Sequence, residues 1–382
     1  MTDGLRITLV LGHQLPFPPS QGGGVNNLLW MLARQLARLG HTVSVCSPIA
    51  ESLACEEIDE HGIHHCRFTG ARMRRGTWAN NLAGIPYTLR VWKNLPAGDV
   101  TSFHAPFSFI LRHRKDIGVC THTIHRSPKW IVRLYRNMDR IYAGSHATVK
   151  EASAIAPGIA ARLKAIHNCI EVGNVAPKSA PPLGEPLSLV YVGRFAPDKG
   201  LYSLIGGGID AIHAGHDVKI TTIGPQRDEQ GGDSSFFDVL SRMVREAGAG
   251  DRFRFLPNIN DRFRLFSTID EHDVFCLPSI SGETFSMAGL EAMSRAKPLL
   301  TSDYGPMAEM VANGVTGFTV PAGDRNAWTE AICRLDGIRR ELPVMGAASW
   351  SKASREFSVE AIANQYVADF RGLIAAQRGK GK

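Results

Sequence analysis

The segment from Ser279 to Lys297 reads S-I-S-G-E-T-F-S-M-A-G-L-E-A-M-S-R-A-K and decides the fold of the second half of the chain. It follows a short apolar run at 274–278, so the order strand, polar turn and helix is predicted. We expect the helix to begin near Thr284 and to direct its unpaired N–H groups and the positive end of its dipole toward a ligand such as a diphosphate. Glu283 precedes that end, and Glu291 lies about two turns into the helix.

The polarity of this segment fits a sugar nucleotide. Helical side chains lean toward the N-terminus of their helix, so the carboxylates of Glu283 and Glu291 can both address one ligand. N–H groups would hold an anionic diphosphate, and the two carboxylates would hold the neutral hydroxyls on either side of it. The alternative is a solvated helix face that carries two glutamates by chance.

The same segment resembles the E-x7-E signature of the family 4 glycosyltransferases, a large retaining group with the GT-B fold. The pair Glu283 and Glu291 has the required spacing, and Phe285 stands two residues after the first glutamate. The resemblance implies that Glu283 lies by the donor sugar and that Glu291 holds the nucleotide ribose. The residues between them that are also expected at the donor are Thr284, Phe285 and Ser286.

A second motif follows the predicted strand from Leu187 to Gly193. The turn R-F-A-P-D-K-G, from Arg194 to Gly200, resembles the family's G-R-x4-K-G turn, in which the cations of Arg194 and Lys199 clamp the donor diphosphate. Two cations at a strand-to-helix turn would neutralise a leaving group that departs with extra negative charge. We expect the helix after this turn to be interrupted by the glycines at 206–208.

The chain opens with a strand at 5–11, a loop rich in proline and glycine, a helix at 25–39 and a strand at 42–46. This order is typical of a doubly wound α/β domain, whose ligands bind beyond the C-terminal strand ends. The loop resembles the glycine-rich loop that family 4 enzymes bring against the donor diphosphate and the acceptor. The resemblance assigns Gly23 and Gly24 to the donor.

Histidines follow two further predicted strands. The stretch D-V-T-S-F-H resembles the family's strand that ends in H-x-H, with Ser102 in place of the first histidine and His104 in place of the second. The stretch T-H-T-I-H resembles the strand end that places a histidine by the donor. That histidine is His125 or, if the alignment slips, His122. At a strand edge, a histidine can donate a hydrogen bond to a sugar hydroxyl or direct partial charge toward the reacting centre, although a structural or surface histidine is an equal alternative. We place His104 and His122 on the acceptor or sugar side.

The predicted fold class is α/β, of the GT-B type, with two Rossmann-like doubly wound domains facing a central cleft. Residues 1–175 are predicted to form an N-terminal acceptor-binding domain, and 176–186 a proline-rich linker. Residues 187–358 are predicted to form the donor-binding domain. A last helix at 359–376 is expected to pack back on the first domain.

Composition restricts the class of protein. Hydrophobic residues make up 44% of the chain and charged residues 21%, which is typical of a globular protein. No apolar run approaches the roughly 20 residues that span a bilayer, and the N-terminus lacks a signal-peptide layout, so a cytoplasmic location is predicted. The seven cysteines are scattered without a C-x-x-C pair, which argues against a disulfide framework or a zinc site.

The net charge of +7 arises mainly from a basic excess between residues 61 and 150. Such a surface attracts an anion, but no nucleic-acid-binding motif accompanies it, so no nucleic acid is expected. Two interpretations remain. One is an ordinary solvated basic face. The other is peripheral contact with anionic headgroups at the inner membrane face, which the aromatic Trp130, Tyr135 and Tyr142 among the arginines would suit.

Together these features predict an enzyme that moves a sugar from a nucleotide-diphosphate donor to an acceptor hydroxyl on a carbohydrate or a lipid-linked or other anionic glycan precursor. Retention of configuration is implied by the resemblance. The chain has no aspartate pair at i, i+2, so we expect no essential metal and no other cofactor. The predicted catalytic residues are His125, Glu283, Arg194 and Lys199. The alternatives are a sugar-nucleotide epimerase or phosphorylase on the same fold, or a binding module without turnover.

Overall fold

The computed structural model describes residues 4–19, 24–50, 53–71, 82–105, 108, 114–182, 184–228 and 231–380. The chain divides into two compact units. Unit 1 contains Met1–Cys169 together with Val359–Lys382, and unit 2 contains Ile170–Ser358. Each unit is built on its own sheet.

Unit 1 has an eight-stranded sheet in the order β3-β4-β2-β1-β5-β6-β7-β8. All neighbouring strands are parallel except β3 and β4. The strands are β1 (Arg6–Val10), β2 (Thr42–Pro48), β3 (Glu56–Ile58), β4 (His64–Phe68), β5 (Val100–Phe103), β6 (Val119–Ile124), β7 (Arg140–Ala143) and β8 (Leu163–Ala165). The helices before the C-terminal one are α1 (Gly24–Arg38), α2 (Ile85–Lys93) and α3 (His146–Ile155).

Helix α1 forms because its apolar residues recur at helical spacing and face the sheet. Leu28, Leu29, Leu32 and Leu36 are all buried. The chain leaves β1 for β2 on one side and later returns to β5 on the other, so β1 and β5 are neighbours at a topological switch point. The C-terminal ends of strands at such a point border the crevice where open α/β sheets bind ligands.

Unit 2 has a six-stranded parallel sheet in the order β11-β10-β9-β12-β13-β14. Its switch point lies between β9 and β12, which pair directly, so the loops after these two strands leave the same edge side by side. The strands are β9 (Leu187–Val192), β10 (Val218–Ile223), β11 (Phe253–Leu256), β12 (Val274–Leu277), β13 (Leu299–Ser302) and β14 (Gly317–Val320). The helices are α4 (Leu201–His213), α5 (Ser234–Glu246), α6 (Arg262–Asp270), α7 (Met287–Ser294), α8 (Gly305–Ala308), α9 (Arg325–Gly337) and α10 (Leu342–Lys352).

The three glycines at 206–208 do not interrupt α4, contrary to the prediction. They are buried inside a continuous helix. A Cβ atom at Gly207 would collide with Trp328 of α9, and one at Gly208 would collide with Ile220 of β10. Gly207 and Gly208 are therefore needed because α9 and the sheet both approach the backbone of α4 closely, which is a tertiary requirement.

The last helix, α11 (Val359–Lys380), belongs to unit 1 and extends beyond the predicted end at 376. Its Asp369 is the anchor, since the carboxylate accepts hydrogen bonds from Arg140 (3.0 Å), Tyr142 (2.8 Å) and Lys164 (2.7 Å). Tyr142 also packs edge-on against Tyr366. Among the described residues, no helix combines the length and apolar character needed to cross a bilayer.

Candidate functional site

The turn after β9 carries the two predicted cations and lies against the loop after β12. Gly200 closes this turn with a φ of +65°, and a Cβ atom there would collide with the main-chain oxygen of Pro278. A side chain at this position would therefore hold the two loops apart. The close approach brings Arg194 and Lys199 of one loop to the edge that carries Glu283.

Asp198 links the two loops. Its main-chain oxygen accepts hydrogen bonds from the N–H groups of Ile280 (3.0 Å) and Ser281 (3.4 Å). Its carboxylate Oδ2 lies 3.5 Å from an Nη atom of Arg194 and 3.6 Å from Nζ of Lys199. Sequence reasoning missed this residue, although a carboxylate directly before a predicted phosphate-binding lysine was a usable signal.

Lys199 and Glu283 form the centre of the cluster. Lys199 Nζ lies 2.5 Å from Oε1 of Glu283, and the two side chains are only 12% and 23% exposed. Arg194 is half exposed, and its main-chain oxygen accepts a hydrogen bond from the Tyr191 hydroxyl at 2.9 Å. The structure thus brings Arg194, Lys199 and Glu283 together. A diphosphate entering here would meet one accessible guanidinium and one ammonium already oriented by carboxylates.

Helix α7 begins at Met287 and not near Thr284, which corrects the sequence expectation. Ser286 is the N-cap, and its hydroxyl accepts a hydrogen bond from the Gly289 N–H at 3.2 Å. Thr284 and Phe285 are buried before the helix, and the Phe285 ring packs edge-on against Phe357 at 5.3 Å. The Phe285 ring and the Ser286 hydroxyl therefore both have structural partners within unit 2.

Glu291 lies just over one turn into α7, because the helix starts later than predicted. Burial raises the pKa of its carboxyl above the usual range, and the nearby guanidinium of Arg262 acts in the opposite direction. Such a carboxylate is poorly hydrated. Hydroxyl donors from a ligand would replace the missing water.

The corresponding edge of unit 1 carries histidines. His104 follows β5 directly and His125 follows β6 directly, and Nδ1 of His104 lies 2.8 Å from Nε2 of His125. Burial lowers the pKa of His125 to about 4. Burial and the neighbouring rings of His125 and His122 lower the pKa of His104 well below its usual range. Both imidazoles are therefore neutral near pH 7.

His122 belongs to the interior of unit 1. It is buried, its Nδ1 lies 2.9 Å from the Ser108 hydroxyl, and its ring stacks on Tyr135 at 3.8 Å. Burial lowers the pKa of His122 to about 3. Between the two alternatives left open by the sequence, the strand-edge position is therefore that of His125.

The first loop of unit 1 is described only in part. Gly24 is the first residue of α1, whereas Gly23 lies outside the described residues. His13 follows β1 at the switch point, is buried, and packs so closely on Gly84 that a Cβ atom there would collide with its ring. Sequence reasoning did not select His13, and its position just after the first strand is the signal that was available.

Two family models match the chain in succession. The model described as Glycosyltransferase Family 4 matches residues 22–173, and the one described as Glycosyl transferases group 1 matches 176–336. The chain belongs to glycosyltransferase family 4.

Relatives of this family 4 chain include the Phosphatidyl-myo-inositol mannosyltransferase of Mycobacterium leprae, which is 28% identical over 208 residues. That match covers 52% of this chain and 51% of the relative, so the chain spans about half the length of the curated relatives it matches first.

Solved structures share the fold. Sucrose-phosphate synthase from Thermosynechococcus elongatus superposes with a TM-score of 0.76 at 20% identity, covering 97% of this chain and 99% of that one. Anabaena HepE in complex with UDP superposes with a TM-score of 0.72 at 18% identity, covering 96% and 100%. The predicted family and the predicted GT-B class of two Rossmann-like units are confirmed. The roles of the individual site residues stay predictions.

Proposed function

We propose that this family 4 protein transfers a sugar from a nucleoside-diphosphate donor to an acceptor hydroxyl. The observation that carries the proposal is the contact between Lys199 and Glu283, because it joins the G-R-x4-K-G turn to the E-x7-E segment at the switch point of unit 2. The complex of HepE with UDP supports a nucleotide donor by analogy of fold.

In this proposal the bond between the anomeric carbon and the diphosphate oxygen breaks, and its electron pair leaves with the nucleoside diphosphate. Arg194 and Lys199 stabilise the charge that develops on that leaving group. The acceptor oxygen bonds to the anomeric carbon, which has oxocarbenium character, and the acceptor proton is released to the departing phosphate. Glu283 orients the donor sugar and Glu291 holds the ribose. His125 hydrogen-bonds the sugar, and unit 1 binds the acceptor.

Retention of configuration and independence from metal ions and other cofactors belong to the same proposal. Retention follows from the family resemblance. Metal independence is supported by the cations of Arg194 and Lys199, which can neutralise the diphosphate without a divalent ion, and by the lack of a D-x-D pair in the sequence.

The experiment is a transfer assay with the full chain. UDP-, GDP- and ADP-sugars are screened first by thermal shift, because a ligand at 100 times its dissociation constant stabilises a protein by about 2.7 kcal/mol. Hits are then incubated with carbohydrate and phospholipid acceptors, and the glycosylated product is identified by mass spectrometry. We expect one nucleotide class to stabilise the protein and to yield a product. Isomerised donor without transfer, or no stabilisation by any nucleotide sugar, would contradict the proposal.

We further propose a lipid-linked acceptor and peripheral contact with the cytoplasmic face of an anionic membrane. The likeness to a phosphatidyl-myo-inositol mannosyltransferase supports the acceptor class. In unit 1, the 3₁₀ segment Trp130–Asn137 leaves Trp130 52% exposed and Leu134 37% exposed beside exposed basic residues. These basic residues are Arg126, Lys129, Arg133 and Arg136. An apolar ridge among cations is suited to a lipid headgroup layer.

Two of the three aromatic residues that the sequence placed at the basic surface lie in the interior of unit 1. Tyr135 and Tyr142 are buried, so only Trp130 of the three aromatic side chains is available to lipid.

Vesicle sedimentation tests the contact. Replacing both Lys129 and Arg136 by glutamate is expected to weaken binding to phosphatidylserine vesicles at least 30-fold, because each basic residue contributes about 1 kcal/mol near such a surface. Lys219→Glu, at an exposed position in unit 2, is the control. Added salt should also weaken binding. Equal binding to neutral phosphatidylcholine vesicles would exclude the electrostatic contact.

A further inference from the structure

Two histidines at the ligand-binding edge of unit 1 form a direct hydrogen bond to each other. His104 Nδ1 and His125 Nε2 are 2.8 Å apart, and the rings are tilted by 32° with centroids 5.1 Å apart. A second side-chain contact extends this pair into the interior of unit 1, since Nε2 of His104 lies 3.3 Å from the buried hydroxyl of Ser102. The main-chain N–H of His104 donates to the Val10 oxygen of β1 at 2.8 Å, so His104 is anchored at the switch point.

We infer that His104 is a positioning residue that holds the ring of His125 in one orientation and one tautomer, and thereby determines what His125 offers to the donor sugar. The inference rests on the proposed function, in which His125 hydrogen-bonds that sugar. This inference gives one shared role to the three hydrogen-bonded residues Ser102, His104 and His125. The family resemblance assigned a role to each histidine separately.

A hydrogen bond between two imidazoles couples their protonation. One nitrogen must donate and the other must accept, and a neutral imidazole has one donor and one acceptor nitrogen. If His104 Nδ1 donates, His125 Nε2 accepts and its Nδ1 carries the hydrogen. If His125 Nε2 donates, its Nδ1 becomes the acceptor. In both arrangements the hydrogen bond couples the tautomer of His125 to that of His104, and the Ser102 hydroxyl can donate or accept to match.

The same geometry restricts protonation. Two imidazolium ions would place N–H groups against each other at this distance, so the pair holds at most one extra proton. The lowered pKa values of both rings agree with a neutral pair. A neutral imidazole with a defined tautomer suits a neutral hydroxyl, because it supplies direction without a competing charge.

His122 is a natural comparison because it lies in β6, three residues before His125, and has a different set of partners. Its Nδ1 faces the Ser108 hydroxyl and its ring stacks on Tyr135. These contacts account for His122 by packing inside unit 1.

The test combines nitrogen NMR with kinetics on the full chain. Long-range ¹H–¹⁵N spectra of the ¹⁵N-histidine-labelled protein report the tautomer of each ring, and a His125→Gln variant assigns the His125 signals. We expect a single His125 tautomer in the wild type and a mixture in His104→Phe. In that variant kcat/KM for transfer should fall roughly 10- to 100-fold, by analogy with the loss when the partner that orients a metal-ligating histidine is removed. The KM for the donor should change less than kcat.

Two conservative variants keep the test decisive if His104→Phe folds poorly. His104→Asn places an amide near the former Nδ1 atom and should regain part of the activity and of the tautomer preference. Ser102→Ala removes only the distant hydroxyl and should have a smaller effect. His213→Gln, at an exposed position in unit 2, is the control.

An unchanged His125 tautomer in both His104→Phe and His104→Asn would overturn the inference. So would a Phe variant that keeps full activity. Because the NMR signal does not depend on turnover, this failure is distinguishable from failure of the proposed function. A single tautomer that is lost in His104→Phe, in a protein that transfers no sugar, would contradict the proposed function alone.

Discussion

The candidate ligand-binding edges of the two units have the same architecture but different chemistry. In each, the edge is the C-terminal side of a parallel sheet at its switch point. Unit 1 presents His104 and His125, a neutral pair. Unit 2 presents the charged residues Arg194, Asp198, Lys199 and Glu283, joined at 2.5 to 3.6 Å.

The difference indicates which part of a ligand each edge would suit. Charged side chains are effective where the ligand is an anion, because charge-assisted hydrogen bonds are about twice as strong as neutral ones. Neutral imidazoles are effective where the ligand offers hydroxyls, which need direction more than charge. The diphosphate of a sugar nucleotide would suit the charged edge, and its sugar hydroxyls would suit a neutral one.

The largest expected effect is at the charged edge. Lys199→Ala should lower kcat for transfer by roughly 10²- to 10³-fold, the usual loss when one preorganised donor to a developing anion is removed. The melting temperature should change little, because Glu283 retains access to water. Lys199→Arg keeps the charge and should be less affected, and Lys219→Ala is the exposed control. Wild-type turnover in Lys199→Ala would show that the Lys199 ammonium does not stabilise the leaving group.

A smaller effect, on stability, should be confined to unit 1. Burial alone would raise the pKa of Asp369, but hydrogen bonds from Lys164 and Tyr142, with the charge of Arg140, hold it below the usual range. Its ionised form therefore stabilises the fold above the unfolded-state pKa of about 3.9, and this contribution is lost as the pH falls through the lower folded-state pKa.

Asp369→Asn should destabilise unit 1 by about 2 kcal/mol at pH 7, less than the roughly 3–5 kcal/mol of a fully buried pair because Lys164 is partly exposed. Hydrogen exchange should show the loss in α11 and β7, and the affinity of unit 2 for nucleotide should be unchanged. The exposed Asp238→Asn is the control. Equal loss of protection in β9–β14 would show that the units are not independent.

The smallest expected effect separates binding from stability at Glu291. Glu291→Gln should weaken donor binding about tenfold, since hydrogen bonds to a charged acceptor contribute roughly 1.5–3 kcal/mol.

The melting temperature of Glu291→Gln at pH 7 should stay the same or rise. The raised pKa means that the protonated carboxyl favours folding at low pH and that this contribution is lost as the pH rises through the folded-state pKa. Calorimetry and thermal denaturation measure both, with the exposed Glu330→Gln as control. Unchanged donor affinity in Glu291→Gln would show that Glu291 does not bind the ribose.

The sequence was sufficient for the fold and for the proximity of the turn after β9 to the loop after β12. Apolar runs followed by polar turns located β9 and β12, and parallel pairing then brings Lys199 to Glu283. The predicted start of α7 was wrong by a few residues, because the apolar pattern does not show which polar residue caps the helix. The N-cap residue is Ser286.

The remaining features depend on distant contacts that a local pattern does not contain. Gly207 and Gly208 are explained by Trp328 and Ile220, which pack on them from another helix and a strand. Asp198 and the pair of His104 with His125 likewise gain their roles from neighbours across a loop or a strand edge. The spacing of residues in the motifs predicted which residue types lie at the C-terminal edges of the sheets. Their hydrogen-bond and packing partners are given only by the three-dimensional arrangement.

A crystal structure of the protein with a nucleoside diphosphate would test the central claim most directly. We predict that diphosphate oxygens lie within hydrogen-bond distance of Arg194 and Lys199, with the ribose hydroxyls on Glu291. A nucleotide bound away from the loops that follow β9 and β12 would contradict the account.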